Sequence, residues 1–206
     1  MKNAQILVLL IFCSFSIANA QTEKGRWTVG AQVGTLTFQS KSNFKSFAAS
    51  LRPSAGYFVT NGLILGMGIP ITINNQKSDF DNYRYNHFST KAIGLAPFVR
   101  YFLGRSQWKP YVGLSYSYQK ISGTIKNDDT IGLYEGTTKG HTTALVPSLG
   151  IACFVNRSLA LTLEADYNIN HQKQHTDYTA LFGSSDSDID TRSLSLAIGF
   201  QLFLGK

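Results

Sequence analysis

The chain has 206 residues, a formal net charge of +7 and only 15% charged residues, against roughly a quarter in an average soluble domain. This length suits one domain, and the shortage of charge disfavours a soluble β-protein, whose outer face needs charged side chains. The basic residues are spread thinly, and no segment carries the concentrated stripe of Lys and Arg that nucleic-acid binding requires. Composition therefore predicts no nucleic-acid partner.

An export signal is predicted at the start of the chain, over residues 1–20. Lys2 supplies a short positive region, an apolar stretch follows, and Ala18 and Ala20 form a small-x-small cleavage site. The apolar stretch is too short for a transmembrane helix. Cleavage after Ala20 leaves 186 residues (206 minus 20) with a charge of +6, since Lys2 is lost. The mature chain is predicted to be one domain over 21–206.

Eight stretches alternate between apolar and small or polar residues, with the period of two that a β-strand imposes. The clearest stretch places Leu159, Leu161 and Leu163 on one face, with Glu164 and Asp166 on the other. Such a strand is typical of a membrane barrel, whose outer face meets lipid and whose inner face is enclosed and polar. The predicted strands span about 26–38, 45–59, 62–74, 87–103, 109–121, 142–155, 157–170 and 192–204.

Short and long connections alternate between these strands. This asymmetry is typical of outer-membrane barrels, which have short periplasmic turns and long extracellular loops. Three strands carry an interior proline before a short turn, and the repetition predicts bulges or kinks at Pro53, Pro97 and Pro147. The short turns lie at 60–62, 104–109 and 156–158, and the long polar loops are predicted over 75–86, 122–141 and 171–191.

The chain resembles a known family in this overall pattern. It combines the export signal, the alternating strands, the Pro-x-x-Gly strands and the ending Ala197-Ile-Gly-Phe-Gln-Leu-Phe-Leu204. In these features it is similar to the outer membrane protein β-barrel domain family, akin to the small OmpA/OmpX-type barrels. The resemblance covers essentially the whole mature chain. It implies an all-β, eight-stranded antiparallel up-and-down transmembrane β-barrel in the cell outer membrane.

The resemblance also implies a signal for assembly. In such barrels the last strand is recognised by the barrel-assembly machinery, usually through a glycine followed by alternating hydrophobic residues. The matching positions here are Gly199, Leu202 and Leu204. The barrel-assembly machinery is therefore an expected partner.

Four charged side chains are predicted to enter the lumen. An eight-stranded barrel has an interior just wide enough for side chains to fill, so an open pore is disfavoured. Arg52 and Arg100 come from strands that precede short turns, and Glu164 and Asp166 come from the seventh predicted strand. Because unpaired buried charges are costly, at least one bridge between an arginine and a carboxylate is expected to plug the lumen. A gate whose ion pairs exchange is the alternative.

Aromatic residues are expected to form two girdles where the barrel meets the membrane interfaces. One girdle lies toward the periplasmic ends of the strands and the other toward their outer ends. The predicted periplasmic set is Trp27, Tyr57, Tyr101 and Trp108, and the outer set is Phe47, Phe88, Tyr118 and Tyr167.

The sequence predicts a structural or surface-interaction role, adhesion-like, with no enzyme activity, cofactor or metal. His87 and Ser89 share a strand face where barrels that modify lipid A would place a catalytic pair, but this spacing is common by chance. The acidic run from Asp186 to Asp190 lacks the glycine and terminal glutamate of a calcium loop. The alternatives are passage of small apolar molecules, a lipid A-modifying enzyme and a secreted lipocalin-like carrier with apolar residues inside.

The remaining partners are predicted from the loops. Basic loop residues such as Lys77 and Lys139 favour contact with phosphate-rich lipopolysaccharide, alongside the other outer-membrane lipids. The polar loops offer a surface to an extracellular partner. The barrel itself is expected to be a monomer.

Overall fold

The computed structural model describes residues 22–41, 44–81, 84–104, 106–129, 132–178 and 183–205, and the predicted export signal lies outside them. Among these residues, no helix is long and apolar enough to cross a membrane. The described chain forms nine antiparallel strand segments that close into a ring. They are β1 (Trp27–Lys41), β2 (Phe44–Thr60), β3 (Leu63–Gly68), β4 (Ile71–Asp81), β5 (Arg84–Phe102), β6 (Trp108–Asp129), β7 (Gly132–Phe154), β8 (Leu159–Tyr178) and β9 (Ser184–Leu204).

β3 and β4 occupy a single position in the ring. Both lie between β2 and β5, and the register on β2 runs on unchanged from the Ser54–Gly68 pair to the Leu51–Ile71 pair. The break falls at Pro70, which has no backbone N–H to donate. The predicted all-β antiparallel up-and-down barrel is therefore confirmed, with its third strand divided into two segments.

The interior prolines do not produce the predicted bulges. The ladder between β5 and β6 keeps one register on both sides of Pro97, and the ladder between β7 and β8 does so around Pro147. At Pro53 the pairing with β1 also continues without a shift. Of the predicted bulges or kinks, the bulges are therefore wrong, because each proline removes one hydrogen-bond donor without adding a residue to its strand.

The strands extend far beyond their predicted outer ends. Most of the segment 122–141 continues the β6–β7 ladder, and most of 171–191 continues the β8–β9 ladder. Likewise, β4 and β5 occupy most of 75–86. The prediction of three long loops is wrong. The sequence of these extensions is mostly polar, so the hydrophobic alternation that reveals a strand is absent while backbone pairing continues.

The ring closes with a shear of ten residues. Following the strand register from Val33 around the ring leads to Asp188 on β9, ten residues from Ile198, which is the β9 partner of Val33. Strand number and shear together fix the diameter and give a strand tilt of roughly 35–45°. A barrel of this size has an interior that side chains fill.

Large apolar side chains cover the outer face of the barrel. They recur at alternate positions, as in Leu145, Leu149 and Leu163, which are exposed, while the polar Glu164 and Asp166 are buried inside. A water-soluble protein does not carry so extensive an apolar surface, whereas a barrel in lipid requires one. The lipocalin-like alternative, with apolar residues inside and polar residues outside, is excluded.

Seven of the predicted girdle residues lie on the outer face, and Phe88 does not. In β5 the outward residues are odd-numbered, such as Ile93 and Leu95, so Phe88 faces the lumen, where it lines a cavity with Thr90. The prediction of Phe88 as an outer girdle residue is wrong. It relied on the distance of Phe88 from the short turns, whereas the alternation of the strand decides which side chains face outward. The outward residues are Trp27, Tyr57, Tyr101 and Trp108 near the short turns, and Phe47, Tyr118 and Tyr167 farther along the strands.

The seam between β1 and β9 is paired over only part of its length. Trp27–Val33 pair with Ile198–Leu204. Beyond Val33, β1 has a bulge and then pairs with β2, and the described part of β9 before Ile198 pairs with β8. The outward side chains Leu36 and Leu194 beside this stretch are 71% and 74% exposed. The end of the seam away from the short turns therefore presents two strand edges that do not pair with each other.

Cysteine pairs across the seam test this arrangement. In a Cys153→Ser background, A31C/F200C joins paired positions and should cross-link readily on mild oxidation, because Cβ atoms of directly opposed residues are about 4.5–5.5 Å apart. L36C/L196C spans the unpaired stretch and should cross-link much more slowly. The measurement is the time course of the gel-mobility change of the folded barrel. Equal rates for the two pairs would show that the seam is closed throughout.

Candidate functional site

An aromatic layer fills the lumen near the short turns. Phe58, Phe102, Tyr111, Phe154 and Phe203 are all buried, together with the small residues of the same cluster. The ring centroids of Phe154 and Phe203 are 4.9 Å apart, and those of Phe102 and Tyr111 are 5.0 Å apart. Packing of this kind leaves few voids that could admit water. The sequence analysis missed the layer, although each aromatic residue has the inward phase within a few residues of the short-turn end of its strand.

Two buried cations lie beneath this layer, at the short-turn end of the barrel. The Lys109 ammonium donates a hydrogen bond to Thr22 Oγ1 at 3.1 Å and lies 5.1 Å from the centre of the Phe154 ring. The Arg26 guanidinium donates to the carbonyl of Phe203 at 3.1 Å. The chain entering β1 therefore covers this end of the lumen.

The four charged side chains predicted to enter the lumen meet just above the aromatic layer. Arg52 Nη2 lies 2.5 Å from Glu164 Oε1 and 3.3 Å from Asp166 Oδ2. Arg100 Nη2 lies 3.0 Å from Glu164 Oε2. Glu164 is 1% exposed and receives both guanidiniums, so we call these four residues the charge cluster and Glu164 its centre.

Two uncharged side chains add hydrogen bonds to the charge cluster. Gln32 Oε1 accepts from Arg52 Nη2 at 2.8 Å and from Arg100 Nη2 at 3.0 Å. The Tyr111 hydroxyl donates to Glu164 Oε2 at 2.8 Å, which joins the cluster to the aromatic layer. Sequence analysis missed both residues. The alternation of a strand places a polar side chain in the lumen, but it does not identify the side chain with which it forms hydrogen bonds. The cluster brings together two arginines and two carboxyl groups.

The chain matches the family described as "Outer membrane protein beta-barrel domain" over residues 6–203. It belongs to this family. Proteins of the family are barrels of the bacterial outer membrane, and the apolar outer face described above is the surface that such a barrel presents to lipid. In such barrels short turns are periplasmic and long hairpins extracellular, and the two ends of this barrel are named on that rule. A comparison with the curated proteins gives no match.

Solved structures similar to this barrel support the fold assignment. The outer membrane protein OprG from Pseudomonas aeruginosa is 13% identical with a TM-score of 0.59, and the match covers 89% of this chain and 98% of that one. A major outer membrane protein from Thermus thermophilus is 13% identical with a TM-score of 0.57, over 87% and 99%. Neisserial surface protein A is 19% identical with a TM-score of 0.50, again over 87% and 99%. At these identities the likeness concerns the fold alone.

The residues of the predicted assembly signal lie at the end of the barrel's last strand. Leu202 and Leu204 face outward and are exposed. Gly199 faces Gln32, and a Cβ atom at this glycine would lie 2.6 Å from Gln32 Cγ. A glycine here leaves space for the glutamine that holds both arginines of the charge cluster. Recognition of these residues by the assembly machinery stays a prediction.

The structure does not assemble a catalytic pair from His87 and Ser89. The Ser89 hydroxyl donates to Asn75 Oδ1 at 2.6 Å, a contact between neighbouring strands β4 and β5. This hydrogen bond uses the only proton that the hydroxyl can donate, so it is not directed at an imidazole. The pair therefore gives no support to the lipid A-modifying alternative.

A ladder of histidines and aspartates follows the extracellular part of β8 and β9. His171 Nδ1 lies 2.7 Å from Asp190 Oδ1, and His175 Nδ1 lies 2.6 Å from Asp186 Oδ1. The hydrogen bond with Asp186, followed by the one with Asp177, raises the pKa of His175 above its ordinary value. Within the described part of the chain, no three His, Cys, Asp or Glu side chains are arranged to hold a metal ion. These contacts join β8 to β9 through pairs of histidine and aspartate side chains.

Removal of one arginine tests the charge cluster. Arg100→Ala should destabilise the detergent-folded barrel by about 3–5 kcal/mol, because it leaves the buried Glu164 carboxylate short of a counter-charge. Lys126→Ala removes an exposed ion pair with Glu135 and should cost at most about 1 kcal/mol. Urea unfolding followed by gel mobility gives both values. Equal losses in the two variants would contradict a stabilising role for the cluster.

The His175 contacts predict that the stability of the outer part of the β8–β9 hairpin depends on pH. A folded-state pKa above the ordinary 6.5 means that the protonated imidazole stabilises the β8–β9 hairpin fully below that pH, and that this contribution is lost as pH rises through the folded-state pKa. Hydrogen-exchange protection factors in the outer part of β8 and β9 should therefore fall with rising pH. His175→Gln should remove this dependence, whereas His141→Gln on β7 should preserve it. Unchanged pH dependence in His175→Gln would assign the effect elsewhere.

Proposed function

We propose that this chain is a non-conducting barrel of the outer membrane with a structural and surface-interaction role. The observation that carries the proposal is the double closure of the lumen by the aromatic layer and the charge cluster. The barrel acts as an anchor, and its extracellular strand extensions act as the interacting part. The proposal assigns no catalytic activity and no cofactor to the chain.

The charge cluster extends across the lumen rather than along one wall. Arg52 lies on β2, Arg100 on β5 and Glu164 on β8, and in the ring three steps separate β8 from each of the two arginine strands. Ion pairs between such distant strands place side chains in the middle of the lumen. Together with the aromatic layer beneath, they oppose a water-filled path from one end of the barrel to the other.

The extracellular extensions provide the surface for interaction. They are paired strands and not loose loops, so their side chains are held in fixed positions relative to the membrane. Regular alternation of exposed polar side chains on a rigid sheet suits recognition of an extracellular partner. An adhesion-like role is consistent with this geometry.

Exposed lysines on the outer wall support contact with anionic lipid. They continue the outward phase of their strands just beyond the apolar band, as Lys120 does two residues after Tyr118. At that level they face the phosphate groups of lipopolysaccharide, which attract ammonium groups. The lysines at this level are Lys91, Lys120, Lys139 and Lys173.

Export and assembly complete the proposal. The export signal over residues 1–20 is removed after Ala20, and the barrel over 21–206 folds with the help of the assembly machinery as a monomer. Thr22 is the second residue after the proposed cleavage site. Its carbonyl accepts a hydrogen bond from the Gly62 amide at the short-turn end of the barrel, so the chain is attached to the barrel soon after that site, which supports the proposed boundary. In the described part of the chain every strand position pairs with both of its neighbours, the seam over part of its length, so the ring closes without a second copy.

Planar-bilayer recordings test the closed lumen. The unmodified barrel should give no steady channel openings. Phe58→Ala with Phe203→Ala removes part of the aromatic layer and should remain closed, because the charge cluster is intact. Adding Arg52→Ala with Glu164→Ala should produce small, stable conductance steps in those molecules that still show the heat-dependent gel mobility of a folded barrel. Channel openings in the unmodified protein would overturn the proposal.

A further inference from the structure

Above the charge cluster the lumen widens into a polar well. Its lower cavity has a volume of about 230 Å³, and its floor is formed by Gln32, Arg52 and Asp166. A second cavity of about 330 Å³ continues toward the extracellular side and shares Thr72, Gln119 and Asn170 with the first. The walls consist mainly of hydroxyl and amide side chains, among them Ser50, Ser115, Ser117, Asn168 and Ser195.

Several polar atoms that border the well have no protein partner within the described part of the chain. At the floor these are Gln32 Nε2 and Asp166 Oδ1, on residues that are only 4% and 6% exposed. Farther up are Gln119 Oε1 and Asn74 Oδ1. Buried polar groups in folded proteins are nearly always hydrogen-bonded, so this arrangement points to a polar occupant.

The unpartnered atoms indicate the chemistry of that occupant. Three of them are oxygen acceptors and one is an N–H donor, so the occupant must donate hydrogen bonds and also accept one. In the charge cluster beneath, each arginine and each carboxylate already has a partner of opposite charge, so none is left unpaired for an ion. Hydroxyl groups both donate and accept without charge.

We propose that the well binds a small, neutral, polyhydroxylated group of the sugar or polyol class. Its hydroxyls occupy the floor between Asp166 Oδ1 and Gln32 Nε2, and the hydroxyl and amide walls bind the rest. The lower cavity would hold roughly eight water molecules at the density of the liquid, which is room for a single sugar ring. The site needs the closed floor of the proposed function, because the same residues form both.

Two sources of such a group can reach the well. A free sugar enters from the extracellular end. The sugar headgroup of a membrane glycolipid enters through the unpaired stretch of the seam, where Gly34 and Thr35 on β1 and Ser193 and Ser195 on β9 border the lower cavity. Both sources present the same hydroxyl chemistry, and the experiment separates them.

Side-chain amide NMR tests the proposal with the folded barrel in phosphocholine micelles. One arm titrates free D-glucose, a second adds octyl glucoside to the micelles, and a third titrates methylammonium. Saturable shifts of the Gln32 and Asn168 side-chain amides with glucose support binding of a free sugar. Saturation with octyl glucoside alone supports a glycolipid headgroup. Saturation with methylammonium alone, or with none of the three, overturns the proposal.

A matched pair of variants places the shifts in the well. Ala144→Phe fills the lower cavity, which Ala144 lines, and should abolish saturable binding. Leu145→Phe changes the next residue, which faces lipid, and should leave binding as it is in the unmodified protein. Binding that survives in Ala144→Phe would overturn the assignment. Bilayer conductance of the same preparations shows separately whether the floor is closed, so failure of the sugar proposal is distinguishable from failure of the closed lumen.

Discussion

The buried Glu164 carboxylate determines how the interior of this barrel is arranged. It attracts Arg52 and Arg100 from the other side of the lumen and accepts the hydroxyl of Tyr111. A single carboxylate with these partners links the aromatic layer below to the polar well above. Because a buried charge requires such compensation, strands across the lumen must supply long cations, and the strands between must leave space for them. Gly199, opposite Gln32, is one position where that space is provided.

Strand phase made the barrel and its charged residues predictable from the sequence. Alternation with a period of two shows which side chains face lipid, and the rest must enter the lumen, where opposite charges pair. The same principle fails where both faces meet water. The sequence of residues 122–129 and 132–141 is mostly polar and has no apolar alternation, so it gives no sign that they pair as strands. Backbone hydrogen bonding continues there without help from side-chain hydrophobicity.

The sequence predicted which charged residues belong to the candidate site, but only part of the contacts between them. Arg52, Arg100, Glu164 and Asp166 could be assigned to the lumen, but their height relative to one another depends on the shear of the ring, which needs the complete register. For the same reason Gln32 and Tyr111 could not be matched with Glu164. Five inward aromatic residues near the short turns were visible in the strand phase, and their meeting in one layer follows from the narrow diameter.

The partly paired seam has a consequence for how the barrel comes apart. Its seven residue pairs join the first strand to the last, so they are the contacts most distant in sequence and the last that a folding chain can complete. The other strand positions are held by longer ladders with their neighbours. Opening of the ring therefore begins at the extracellular end of the seam, and the β1–β9 hydrogen bonds are lost one pair after another toward Trp27 and Leu204. The pairing of the first and last strands at that end is therefore the last contact that keeps the cylinder closed.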